Sequence, residues 1–132
     1  MKRLFATLSA ALLLTSCQTY DPAVAKAKLA RIKQTIPICT IPAECEAKWE
    51  AAQLWVVRNA GYKIQLATSV LIETYNSVQP STNLAVQVIK EPAGAGNYRF
   101  LAKAWCGNVF GCFPDPHDAV LDFNQTLNAV RL

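Results

Sequence analysis

The 132-residue chain is short of histidine, glycine and charge, and no apolar run in it is long enough to cross a bilayer. Its one histidine, His117, is the only residue on which imidazole chemistry can rest. Five Gly and seven Pro in a chain that is 52% hydrophobic exclude collagen-like composition and wholesale disorder. Charged residues make up 17%, with a formal net charge of +4, which is no footprint for nucleic acid. No internal repeat and no low-complexity tract is present. The longest apolar run, Leu4 to Leu14, is eleven residues, whereas a spanning helix needs about twenty. Ser69, Ser77 and Ser81 occupy turn-like contexts, and none reads as the strand–turn–helix elbow of a nucleophilic serine.

What is present begins at the N-terminus. Lys2 and Arg3 precede the apolar run, the pattern of a secretory signal. The run ends in Leu14-Thr15-Ser16-Cys17. Here the sequence resembles the bacterial lipoproteins, whose lipobox reads Leu, a small residue, Gly/Ala/Ser, then Cys. The resemblance covers residues 1–17 and implies nothing about the fold beyond them. It implies a diacylglyceryl group on the Cys17 thiol, cleavage just before Cys17, and an acyl chain such as palmitate on the new amino group. It also implies sorting: an Asp after the Cys favours the inner membrane, and Gln18 stands there instead, so a periplasm-facing outer-membrane anchor is expected.

Loss of Lys2 and Arg3 with the signal lowers the formal charge from +4 to +2. The remaining basic charge clusters in Lys26, Lys28, Arg31 and Lys33, close to the anchor. Such a stretch is attracted to anionic head groups, or it is simply a solvated helix face. Cys39, Cys45, Cys106 and Cys112 form an even set in an exported domain, which reads as disulfides. Zinc is the rival, but both pairs are spaced more widely than zinc ligands usually are. Three pairings are possible; Cys39–Cys45 and Cys106–Cys112 are preferred. Each would close a short loop worth about 2.4 kcal/mol on the chain-entropy model. No metal and no cofactor is implied.

The pattern along the chain predicts an α+β domain of two layers in the order α-α-β-β-β-β-α. Its antiparallel sheet of three or four strands packs against helices. Asp21-Pro22 starts a helix that Ile36-Pro37 ends. A second helix follows Pro42, with Cys45, Trp49, Ala52, Val56 and Ala60 on one face and Gly61 as its cap. Trp55 projects about 120° from Trp49, so one of the two leaves that stripe. Strand patterns cover 62–66, 70–75, 84–89 and 98–106, the first two readable as one bent strand, with a Gly/Pro turn over 91–97. Asp115-Pro116 starts the last helix, whose stripe is Val120, Phe123, Leu127 and Val130. The expected organisation is a signal over 1–16, a lipidated N-terminus and basic helical tether over 17–36, and one α+β domain over 37–132.

Two surfaces are candidates for binding. A closed Cys106–Cys112 loop presents Val109 and Phe110, which bind a partner at little entropic cost if exposed. The competing reading packs Phe110 and Phe113 into the core. On the last strand, Arg99, Lys103 and Trp105 alternate away from Tyr98, Phe100, Ala102 and Ala104, forming a row that suits a sugar ring or an acidic partner. His117 with Asp115, Asp118 and Asp122 suggests a metal site, but acids at a helix start are also expected as caps. The functional reading is a non-enzymatic envelope lipoprotein that binds another envelope protein or a cell-wall polymer, with no catalytic residues assigned. The alternatives are an inhibitor of a secreted hydrolase such as lysozyme, by analogy alone, and a small hydrolase of wall or lipid.

Overall fold

The computed structural model describes residues 20–132. The signal segment, the lipobox and Cys17 lie outside the described residues. The elements are α1 (Pro22–Gln34), β1 (Ile38–Cys39), α2 (Pro42–Asn59), β2 (Ile64–Ala67), β3 (Leu71–Thr74), β4 (Ala85–Gly94), β5 (Asn97–Trp105) and α3 (Pro116–Asn128). The strands form one antiparallel sheet in the order β1-β5-β4-β3-β2.

The α+β class, the three helices, the antiparallel sheet packed against helices and, in outline, the element order agree with the sequence expectation; the strand count does not. Among the described residues the sheet has five strands rather than three or four, and one added strand makes the order α-β-α-β-β-β-β-α. The extra strand, β1, is only two residues long and pairs Ile38 with Arg99 and Cys39 with Tyr98. Two residues between prolines carry no period-2 signal, so only the neighbouring β5 reveals this strand. The expected turn over 91–97 is also shorter. β4 continues through Pro92 to Gly94, and only Ala95 and Gly96 turn, both at positive φ. Pro92 is tolerated because the register is irregular between Pro92 and Gly94. The segments at 62–66 and 70–75 are two paired strands rather than one bent strand.

Alternation along the strands gives the sheet two unlike faces. Ile72, Val86, Val88 and Phe100 point inward and are buried. They meet Trp49, Ala52, Trp55 and Val56 of α2 and Ala119, Phe123 and Leu127 of α3. Each Val, Ile, Leu or Phe among them contributes about 1.5–3 kcal/mol on burial. Both tryptophans are core. Trp49 lies tilted on Phe100, with ring centroids 6.1 Å apart, and Trp55 meets Phe123 edge-on at 5.3 Å. Trp55 leaves the main stripe of α2, as its angular offset requires, and its indole N–H donates to Asp122 at 2.7 Å. Gly61 is not a left-handed cap. The α2 cap is Ala60 in an extended conformation, and Gly61 is needed because a Cβ there would stand 2.5 Å from that of Asn83.

α1 has no buried residue. It lies along α3 and runs parallel to it. Lys28 pairs with Asp118 at 2.8 Å and with Asp115 at 3.6 Å. One to two turns on, the Asn124 amide donates to the Ile32 carbonyl and the Asn128 amide to that of Thr35. Both helices therefore start at one end of the domain. The hydrogen bond of the Phe113 N–H to the Thr82 carbonyl brings the start of β4 to that end, and the bond of the Gly61 amide to the Leu84 carbonyl brings the end of α2 there as well. The far end holds β1, the start of α2 and the β4–β5 turn.

Candidate functional site

Among the described residues, no helix covers the outer face of the sheet. The register stacks its side chains in levels across the strands. One level is polar: Glu73 lies opposite Gln87, and Gln87 opposite Lys103. Glu73 accepts from the Gln87 side-chain amide at 2.7 Å and from that of Gln65 at 3.3 Å. The next level is apolar, with Leu71, Ile89 and Leu101 in register. The third is the pair of Arg99 with Glu91, whose guanidinium Nε donates at 2.6 Å. Trp105 closes the face beside the polar level. Its indole N–H donates to Asn76 at 2.8 Å, and the Lys103 ammonium stands 5.4 Å from its ring centroid. Gln65, Glu73, Thr74, Asn76, Gln87, Lys103 and Trp105 line a shallow cleft of about 390 Å³. The expected row of Arg99, Lys103 and Trp105 thus lies on this open face, but Arg99 is engaged with Glu91 and only Lys103 and Trp105 reach the cleft. Sequence reasoning missed Gln65, Glu73, Asn76 and Gln87, because only the tertiary structure brings them beside Lys103.

The four cysteines pair as Cys39–Cys45 and Cys106–Cys112, with Cα separations of 5.1 and 5.7 Å. These are the two local pairings preferred above. The first bridge is reinforced by a charge the sequence did not single out. Lys48 is only 5% exposed; its ammonium donates to the Ile38 carbonyl at 2.6 Å and pairs with Glu44 at 2.8 Å. Glu44 also accepts from the Thr40 amide at 3.0 Å. The hydrogen bonds from Lys48 and then Thr40 hold the Glu44 carboxyl below the usual carboxylate range. A carboxyl lowered in the folded state adds stability above the ordinary range, and that contribution is lost as pH falls through its own lowered value. Glu44→Gln should therefore lower the melting temperature at neutral pH. The gap to wild type should close as the pH is taken below the carboxylate range. Melting curves at stepped pH check this; a gap that is constant with pH would mean the carboxylate charge contributes nothing.

Beside this bridge, at the far end, is a cleft of about 520 Å³, lined among others by Ile41, Pro42, Trp49, Val70, Lys90 and Tyr98. The Lys90 ammonium stands 5.3 Å from the Trp49 ring and 5.6 Å from that of Tyr98. Its residues come from three separate segments, so no contiguous motif announced it.

The second bridge closes its loop at the end where α1 and α3 start. Val109 and Phe110 are 85% and 97% exposed, and Phe113 is 81% exposed. None of them folds back into the core. The base of the loop is held: the Asn108 amide donates to the Pro80 carbonyl at 2.7 Å and the Phe113 N–H to Thr82 at 3.0 Å. Gly107 lies against the Val78 carbonyl, where a Cβ would approach to 2.5 Å. The acids around His117 act as structural groups. Asp115 accepts from the amides of His117 and Asp118 at 2.9 and 3.1 Å, and both Asp115 and Asp118 pair with Lys28. Burial raises the Asp115 carboxyl, but the Asp118 amide and the Lys28 charge outweigh it and the net shift is downward. Ser69 lines the far-end cleft, while Ser81 caps its own loop by accepting from Asn83 N–H.

Residues 1–18 match the family model of the prokaryotic membrane lipoprotein lipid attachment site, and Cys17 lies within the match. The match supports a bacterial lipoprotein, anchored by lipid in the cell envelope. No curated protein and no solved structure matches the chain. No helix among the described residues is long and apolar enough to cross a membrane.

Proposed function

We propose that this lipoprotein is a non-enzymatic binding module, held by lipidated Cys17 in the outer membrane and facing the periplasm. On this reading its open sheet face takes a saccharide segment of a cell-wall polymer. The observation that supports the ligand class is the layered chemistry of that face. A pyranose ring has apolar C–H faces and an equatorial rim of hydroxyls that both donate and accept. The stripe Leu71–Ile89–Leu101 suits the faces, and the amides of Gln65, Gln87 and Asn76 with Glu73 and Lys103 suit the rim. Trp105 adds an aromatic edge whose ring is already oriented by Asn76. Groups held by one another and by a sheet lose little freedom on binding.

The test is sedimentation of the detergent-purified lipoprotein with purified peptidoglycan sacculi. Trp105→Ala should weaken retention about tenfold or more, as expected for an aromatic contact that carries much of the binding. Trp105 is only half-buried, so the fold should persist. Equal retention of wild type and variant would remove the sheet face from consideration.

A further inference from the structure

We infer that the Cys106–Cys112 loop, with Phe113, is a second membrane contact: its apolar tip enters the leaflet that holds the lipid anchor and sets the domain upright on it. The inference rests on lipid attachment at Cys17 and is independent of the saccharide reading.

The first support is position. The described chain starts at Tyr20, three residues after Cys17, a gap that spans at most about 11 Å. α1 then runs from Pro22 to Lys28 over roughly 9 Å of helix, and Lys28 is bonded to Asp115 and Asp118 at the start of α3. Phe110 precedes Asp115 by five residues, so it lies within about 18 Å of the same point. The anchor and the tip thus leave the domain at one end, and the bilayer is within reach of the loop whenever the lipid is inserted.

The second support is chemistry. Val109, Phe110 and Phe113 form an apolar tip on a base held to the 78–82 loop, and Val78, 60% exposed, lies on the same end. The tip itself carries no charge. Of the neighbouring acids, Asp115 and Asp118 are answered by Lys28, and Asp21 caps α1 by accepting from the Ala23 N–H. A domain tethered to a bilayer meets it at high effective concentration, so a few apolar side chains suffice for a persistent contact. The far-end cleft then points away from the membrane, and the open sheet face stands beside it.

The experiment uses the full lipidated chain in vesicles of phosphatidylethanolamine and phosphatidylglycerol with brominated acyl chains, which quench tryptophan by contact. The Phe110→Trp protein is compared with wild type, to subtract Trp49, Trp55 and Trp105, and with Val70→Trp at the far end. Quenching of the added Trp in Phe110→Trp but not in Val70→Trp is expected. Phe110→Ser with Phe113→Ser should also speed transfer between vesicles, roughly tenfold per ring removed from the apolar layer. An unquenched Phe110→Trp, or an unchanged transfer rate, overturns the inference. So does cross-linking of position 110 to an envelope protein, which would assign the tip to a protein partner. Failure of the wild type to enter vesicles at all would remove the lipid attachment, and this inference with it.

Discussion

Cys17→Ser is expected to abolish lipid attachment and to block maturation, leaving the signal uncleaved. Transfer of the diacylglyceryl group forms a thioether, and a serine hydroxyl does not replace the thiolate as the nucleophile. Membrane retention depends on these chains. Each buried methylene contributes about 0.8 kcal/mol, and one acyl chain alone gives only marginal binding, so stable anchoring takes more than one. The apolar tip cannot substitute. Val109, Phe110 and Phe113 contribute at most about 1.5–3 kcal/mol each when fully buried, enough to orient a tethered domain and too little to hold a free one. Fractionation of alkali-washed membranes, with the intact mass of the mature chain, checks the expectation. A Ser variant of unchanged mass that remains in the membrane would refute lipid attachment at this residue.

Phe100→Ala should destabilise the domain by about 3–5 kcal/mol, whereas Phe110→Ala should change stability by no more than about 0.5 kcal/mol. The two residues have the same side chain and opposite surroundings: Phe100 is 0% exposed beneath Trp49, and Phe110 is 97% exposed. Removing Phe100 leaves a cavity between α2 and the sheet that neighbours in fixed strand register cannot collapse to fill. For a domain of this size the loss corresponds to a drop of roughly 10–20 °C in melting temperature. Parallel thermal melts of the two variants decide the matter. A large drop for Phe110→Ala would mean that the loop packs in solution and that its tip is not free to meet a membrane.

Much of the fold was legible because it rests on local rules. The Asp21-Pro22 and Asp115-Pro116 starts are caps within one turn of chain, and both helices begin where those pairs stand. The stripe Cys45–Trp49–Ala52–Val56 follows from the helical period and is buried as a unit. The alternation of β5 separated Phe100 from Arg99 and Lys103 correctly, because a strand has only two faces. The misses share a cause. β1 exists only because β5 offers it a partner, and Gly61 is required by a close approach to Asn83 rather than by its own φ. The burial of Lys48 depends on the carbonyl of Ile38, ten residues away, and on Glu44 one turn before it.

The sequence by itself determined the lipid attachment signal, the α+β class, the cysteine supply and the face on which each β5 side chain stands. These depend on residue identity and on spacings of a few residues. Only the tertiary structure decided that no described helix covers the outer sheet face, that Gln65, Glu73 and Gln87 join Lys103 in one level, and that Phe110 is exposed. It alone decided that α1 lies parallel to α3, so that the start of α1 and the apolar loop share one end. The reason is that strand register and helix direction are set by pairings between segments far apart in the chain, and no local pattern carries that information.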